Sequence, residues 1–100
     1  WNFGPPETAV HTVQEVTETA IREWGSGALN ILSDHETPHE ALLLQLNCDK
    51  ARKQLGWAPR WDFQKTIHET IKWYKDFNDG VDTLASSTEQ LATYELSHHD

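Results

Sequence analysis

Four residues near the middle of the chain, His35, Glu36, His39 and Glu40, bring two imidazoles and two carboxylates into one short stretch. On a helix, the i, i+4 spacing of His35 with His39 and of Glu36 with Glu40 would present them as metal ligands, as in zinc proteases. Pro38 lies inside the segment and denies a regular helix, because its ring clashes with the preceding turn and it lacks an amide donor. No metal site is therefore expected. His39 and Glu40 remain as a polar pair directly before an apolar run, where the plain alternative for Glu40 is a solvated loop carboxylate or a cap on a neighbouring amide. Arg60 is a second candidate, a cation able to reach phosphate, with a surface role equally open. Cys48 falls in an expected first helical turn, where a helix dipole could lower a thiol pKa, but a single Cys in a packed helix is usually structural. His98 and His99 read as a solvated tail.

Other chemistries are excluded by spacing. Gly4, Gly25, Gly27, Gly56 and Gly80 form neither a G-x-G-x-x-G turn nor a phosphate loop, so no dinucleotide is cradled by this chain alone. Neither Tyr74 nor Tyr94 is followed by Lys four residues on, so a Tyr-x-x-x-Lys catalytic pair is absent. The 5 tryptophans invite a reading as stacking platforms for sugars or bases, against the plainer one that a small domain uses them in its core or in subdomain contacts.

These residues must be held by a small scaffold. One hundred residues with 37% apolar content fit one domain with one core. With 8 Lys+Arg against 16 Asp+Glu, the net charge of −8 repels phosphate backbones and anionic lipid, so neither nucleic acid nor membrane is an expected partner. Lone Cys48 allows no intrachain disulfide, and a reducing, cytoplasmic setting is the default. No apolar run approaches the roughly 20 residues that span a bilayer. The opening on Trp1-Asn2-Phe3, in a chain with no Met, reads as part of a longer protein.

Thr12 and Glu15 have capping-box spacing, so a helix is expected from Val13, with Val16, Thr17, Ala20, Ile21 and Trp24 on one stripe and Gly25 as its end. Residues 1–3, 28–32 and 42–46 read as strands, the last from the alternation of Leu42, Leu44 and Leu46 with Leu43 and Gln45. Asn47 is a fitting N-cap for a helix over 48–55 closed by Gly56. Asp62 caps a third helix with Phe63, Ile67, Thr70, Ile71, Tyr74 and Phe77 on its stripe. A last short helix is expected from Ser86 or Ser87, each followed three residues on by Glu89 or Gln90, with Leu91 and Tyr94 as its docking residues. The expected fold is mixed α/β, with three main helices and a few short strands. Its core would hold Val13, Val16, Trp24, Leu44, Leu46, Leu55, Phe63, Ile67, Ile71 and Tyr74. Residues 1–79 form the expected subdomain and 80–100 a tail with a docking helix.

"WNFGP" at 1–5, "PHEA" at 38–41, "L-x-x-D-K-A" at 46–51 and "LGWAPRW" at 55–61 together resemble the C-terminal part of extended short-chain dehydrogenase/reductase enzymes that act on nucleotide sugars. "PHEA" combined with "CDKARKQLGWAPRW" is most similar to the 4,6-dehydratases of the CDP-sugar branch, and "FQKTIHETIKWYKDF" is similar to the helix that follows in that family. The chain departs from the pattern at Asn47, Asp49 and Thr37; the last removes a possible phosphate contact, which leaves the nucleotide open.

The resemblance implies a parent lyase in deoxysugar and lipopolysaccharide O-antigen synthesis, cytoplasmic and homo-oligomeric, whose N-terminal Rossmann domain binds NAD and carries the Tyr/Lys set. There, hydride leaves C4 of the sugar, water is eliminated across C5 and C6, and hydride returns to C6. This chain would be the small substrate-binding subdomain, holding no cofactor itself and inactive alone. It would close over CDP-glucose together with the Rossmann domain, with Glu40 bonding a ribose hydroxyl, His39 near the diphosphate or base, and Arg60 toward phosphate. The rivals are the same domain of an epimerase acting on another nucleotide sugar, and a non-catalytic acidic module whose segment 86–96 and exposed tryptophans bind a protein.

Overall fold

Helices begin in this chain where a side chain satisfies the free amides of a first turn. In the computed structural model, which describes residues 1–6, 8–30 and 45–97, the Thr12 hydroxyl accepts from the Glu15 amide at 3.1 Å while the Glu15 carboxylate accepts from the Thr12 amide at 3.3 Å. That reciprocal box opens α1 (Val13–Trp24), and Gly25, at φ 97°, closes it in a left-handed conformation that a Cβ would strain. Asp62 accepts from the Lys65 amide at 2.8 Å and opens α3 (Phe63–Asn78). Asp82 accepts from the Leu84 amide at 3.3 Å and opens α4 (Thr83–Leu96). The short α2 (Asp49–Leu55) is preceded by Asn47, whose side-chain oxygen accepts from the Asp49 amide at 2.8 Å.

Helix α3 is the hub, with α1 on one flank and α4 on the other. His68 meets Glu23 of α1 at 2.8 Å. Toward α4 the bonds come at successive turns: Gln90 donates to the Glu69 carboxylate at 3.0 Å, Trp73 donates to Ser87 at 3.0 Å, and Ser86 donates to Asp76 at 3.1 Å. Since residues advance about 100° around a helix, these partners leave two broad sides of α3 open. Phe63, Ile67, Thr70, Tyr74 and Phe77 share one side; Lys65, His68, Lys72 and Asp79 share the other. The flanking helices follow suit. Thr19 and Glu23 turn toward α3, which puts Val13, Ala20 and Trp24 of α1 on the apolar side and Glu18 and Arg22 on the polar side. In α4, Ser86 and Gln90 turn toward α3, which puts Leu84 and Leu91 on the apolar side and Glu89 and Leu96 on the polar one. The three helices thus make a flat layer with an apolar side and a charged side.

The N-terminal segment packs on α2 instead. The Lys50 ammonium lies 4.5 Å from the Trp1 ring, Asn2 donates to the Asn47 carbonyl at 3.3 Å, and Phe3 meets the Trp57 ring edge-on at 5.1 Å. Gly4 allows this approach, because a Cβ there would stand 3.3 Å from Leu46 Cδ1.

The mixed α/β fold expected from the sequence is not what forms: among the described residues there are four helices and no strand. Residues 2–4 and 46–47 do run close together, but the bond between them comes from the Asn2 side chain to the Asn47 carbonyl, and strands exist only through a backbone ladder. Residues 28–30 are likewise irregular, and the strand readings over 31–32 and 42–44 lie outside the described residues. The last helix also differs, starting at Thr83 rather than at Ser86 or Ser87 and running to Leu96.

The expected core needs revision as well. Val13, Val16, Leu46, Leu55 and Tyr74 are exposed, Trp24, Phe63, Ile67 and Ile71 are half-buried, and Leu44 lies outside the described residues. Among the described apolar residues only Ala51 is fully buried. Among the described residues the helices form a single layer, with no second layer to bury its apolar side against.

Candidate functional site

The turn that joins α2 to α3 is the "LGWAPRW" segment. Gly56, at φ 65°, closes α2 with its amide on the Arg52 carbonyl at 3.1 Å, and the Trp57 amide reaches back to Ala51 at 3.2 Å. Pro59 then prevents helix continuation. This chemistry folds Trp57 back toward the N-terminal segment and sends Arg60 and Trp61 toward the end of α4.

Arg60 is bound there at several points. Its amide donates to the Tyr94 hydroxyl at 3.3 Å, and Nη1 donates to the carbonyls of Tyr94 at 3.3 Å and Glu95 at 2.7 Å. The guanidinium carbon stands 5.6 Å from the Tyr94 ring centroid. A cation at this place meets the last carbonyls and the negative dipole end of a helix, which is favourable in itself. Trp61 adds a bond to the Ser97 hydroxyl at 2.9 Å, and that hydroxyl donates to the Thr93 carbonyl at 2.9 Å. The Trp61 and Tyr94 rings meet edge-on at 5.1 Å.

A cleft of about 300 Å³ opens beside this junction, lined by Leu55, Gly56, Trp57, Ala58, Arg60 and Tyr94. It offers two aromatic rings, an aliphatic floor and one cation. A second cleft, of about 210 Å³, lies on the charged side of the layer among Glu23, His68, Lys72, Lys75, Asp76 and Asp79. There a hydrogen bond to Asp76 holds the Lys72 ammonium above its ordinary pKa, against the opposing effect of burial. Opposite charges already neighbour one another in that groove, so it has no strong preference for an anion.

Of the three residues singled out from the sequence, Arg60 lines the apolar cleft with its guanidinium on α4, while His39 and Glu40 lie outside the described residues. The same holds for the His35 and Glu36 part of the metal reading; among the described residues no three His, Cys, Asp or Glu side chains are grouped to hold a metal. Cys48 sits half-buried between Leu46 and Asp49, its Sγ 4.0 Å from the Gly4 carbonyl. Tyr94 is the residue the sequence undervalued. It stood out only as a docking residue, and nothing in its spacing connects it to Arg60, 34 positions away. Among the described residues no helix is long and apolar enough to cross a membrane.

No established family profile matches the chain. Among curated proteins, the CDP-glucose 4,6-dehydratase of Salmonella typhimurium is 38% identical over 94 residues, which is 94% of this chain and 26% of that protein. This chain is similar to part of a nucleotide-sugar dehydratase. The resemblance drawn from "PHEA" and "LGWAPRW" therefore stands, and the extent of the match fits a C-terminal fragment of such an enzyme. The dTDP-glucose 4,6-dehydratase of Shigella flexneri is 33% identical over 45 residues, 45% of this chain and 12% of that protein. A 3beta-hydroxysteroid-dehydrogenase/decarboxylase of Arabidopsis thaliana is 28% identical over 75 residues, 69% of this chain and 13% of that protein. The chain spans about a quarter of the length of the first relative and less of the others.

Proposed function

We propose that the chain serves as the substrate-binding part of a nucleotide-sugar 4,6-dehydratase whose remainder supplies NAD, the catalytic groups and the other wall of the cleft. The observation that carries this reading is the similarity to a CDP-glucose 4,6-dehydratase along 94% of the chain and only 26% of that protein. The uncovered apolar side of the helical layer supports it, since a piece of a larger domain leaves such a side open. In this reading the substrate is a nucleotide diphosphate sugar such as CDP-glucose, Glu40 accepts a bond from a ribose hydroxyl, and His39 lies near the diphosphate. An ionised acceptor suits that task because it makes the shorter, stronger bond. Arg60 enters as a wall of the cleft, its guanidinium steadied by α4. A cytoplasmic, homo-oligomeric parent belongs to the same reading.

Titrating CDP-glucose into isotope-labelled chain and following amide shifts tests it. With a net charge of −8 and one cleft wall, weak or absent binding is expected, and any shifts should cluster at His39 and Glu40. Tight saturation by the isolated chain would overturn the dependence on a second wall. In the full-length enzyme Glu40→Ala should raise KM for the nucleotide sugar with little change in kcat, and unaltered kinetics would remove Glu40 from the site.

A further inference from the structure

Half-buried Arg60 is fastened at one nitrogen and open at two others. A guanidinium carries five N–H donors in one rigid plane. The two on Nη1 go to the carbonyls of Tyr94 at 3.3 Å and Glu95 at 2.7 Å, and among the described residues no acceptor meets Nε or Nη2. Because the group is planar, holding Nη1 also fixes the direction in which the Nε–Nη2 edge faces. Tyr94 supplies most of the hold. Its hydroxyl accepts from the Arg60 amide at 3.3 Å, its ring centroid lies 5.6 Å from the guanidinium carbon, and Trp61 braces that ring edge-on at 5.1 Å. The cleft that Arg60 and Tyr94 line has no Asp or Glu among its described lining residues, so no carboxylate of that wall competes for the open edge.

We propose that Tyr94 is a positioning residue for phosphate recognition, which by docking the last turn of α4 on Arg60 presets the open Nε–Nη2 edge for the diphosphate of the nucleotide sugar. This rests on the substrate-binding reading given above. Two parallel N–H···O bonds from one guanidinium edge match the oxygens of a phosphate, and such charge-assisted pairs are the stronger hydrogen bonds. A long side chain has much rotamer freedom to lose on meeting a ligand. Here that loss accompanies the docking of α4, so it does not weaken binding when the phosphate arrives. The segment 80–100 then takes part in the site through Tyr94, although it lies beyond the residues that resemble the substrate-binding part.

Steady-state kinetics of the full-length enzyme with CDP-glucose, and competitive inhibition by CDP and by cytidine, test this. Tyr94→Ala removes the ring and hydroxyl and should raise both KM and the Ki of CDP about tenfold, the worth of one charge-assisted bond. Its kcat should stay within about twofold, and the Ki of cytidine, which has no phosphate, should not move. Tyr94→Phe keeps the ring and should restore the constants to within about threefold of wild type. Arg60→Lys keeps the charge but has no second donor edge, so it should match Tyr94→Ala without disturbing the ring, which covers the case in which Tyr94→Ala loses helix content by circular dichroism. In an Arg60→Ala background Tyr94→Ala should add nothing. Equal losses for CDP and cytidine, wild-type constants in Tyr94→Ala or Arg60→Lys, or additive effects of the two alanine substitutions would each overturn the role of Tyr94. A KM raised by Glu40→Ala and not by Tyr94→Ala removes this inference only; a KM that neither substitution moves removes the substrate-binding reading with it.

Discussion

Replacing Glu69 tests whether the contact between α3 and α4 rests on one buried carboxylate. The Glu69 side chain is 9% exposed; Oε1 accepts from the Lys65 ammonium at 2.9 Å and Oε2 from Gln90 at 3.0 Å. Lys65 is 41% exposed, so solvent screens its bond to about 0.5 kcal/mol. The Gln90 bond, to an ionised and buried acceptor, contributes about 1.5 kcal/mol, and removing the acceptor leaves part of the Gln90 amide unsatisfied at about 1 kcal/mol. Glu69→Ala should therefore lower stability by about 2–3 kcal/mol, and Glu69→Gln, which keeps the size but turns an amide donor toward a donor, by about 1–2 kcal/mol. Burial is the largest influence on the Glu69 carboxyl and pushes its pKa up, but the bonds from Lys65 and Gln90, with the charges of Lys65 and His68, outweigh it and leave the pKa below the ordinary 4.5. A group depressed on folding gives stability that is fully present above its unfolded pKa and is lost as pH falls through its folded one. Urea titrations followed by tryptophan fluorescence, at fixed protein concentration, should accordingly show the gap between wild type and Glu69→Gln at pH 7 shrinking below pH 4.5. A gap that stays constant into the acid range would refute the reasoning.

Thr12→Ala removes the hydroxyl half of the capping box and should lower stability by about 1 kcal/mol, read as an earlier urea midpoint. The carboxylate half is Glu15, whose pKa is lowered first by its bond to His11 and then by the Thr12 amide, so the box should weaken as pH falls below 4.5, seen as loss of helical circular dichroism. Arg60→Ala should free the last turn of α4, with amide exchange over residues 94–97 faster by about tenfold and little change elsewhere; unchanged exchange would show that the carbonyl bonds of Arg60 hold nothing in place.

What the sequence disclosed and what it hid follow from the range of the interactions. Helices α1 and α3 were legible because their caps are local: Thr12 with Glu15 and Asp62 with the Lys65 amide act across three residues. The start of α4 was misplaced because Ser86 and Ser87, each three residues before Glu89 or Gln90, imitate a capping box. In the structure those serines face α3, and Asp82, a shorter-range cap, opens the helix. The strand readings failed for a related reason. Alternating apolar residues record that two sides of a segment meet different surroundings, while a strand also needs a neighbour to pair with, which the sequence of one segment does not contain. The core expectations at Val13, Leu55 and Tyr74 erred because amphipathic spacing names the side that seeks burial, not whether a neighbouring element provides it, and among the described residues none does. At the candidate site, Arg60 was recognisable as a cation of interest, but its engagement by Tyr94 and Glu95 spans 34 and 35 residues and has no local signature.

The contact between α3 and α4 has a thermal consequence. Hydrogen bonds at three successive turns link the two helices, through Glu69 with Gln90, Trp73 with Ser87 and Asp76 with Ser86, while Leu84 and Leu91 turn elsewhere. Water can replace such bonds when the helices part, and exposing polar groups lowers the heat capacity whereas exposing hydrocarbon raises it. Lifting α4 from α3 should thus be an opening whose enthalpy changes little with temperature, while separation of α1 from α3, where Ile67 and Ile71 are half-buried, should become steeply more endothermic on heating.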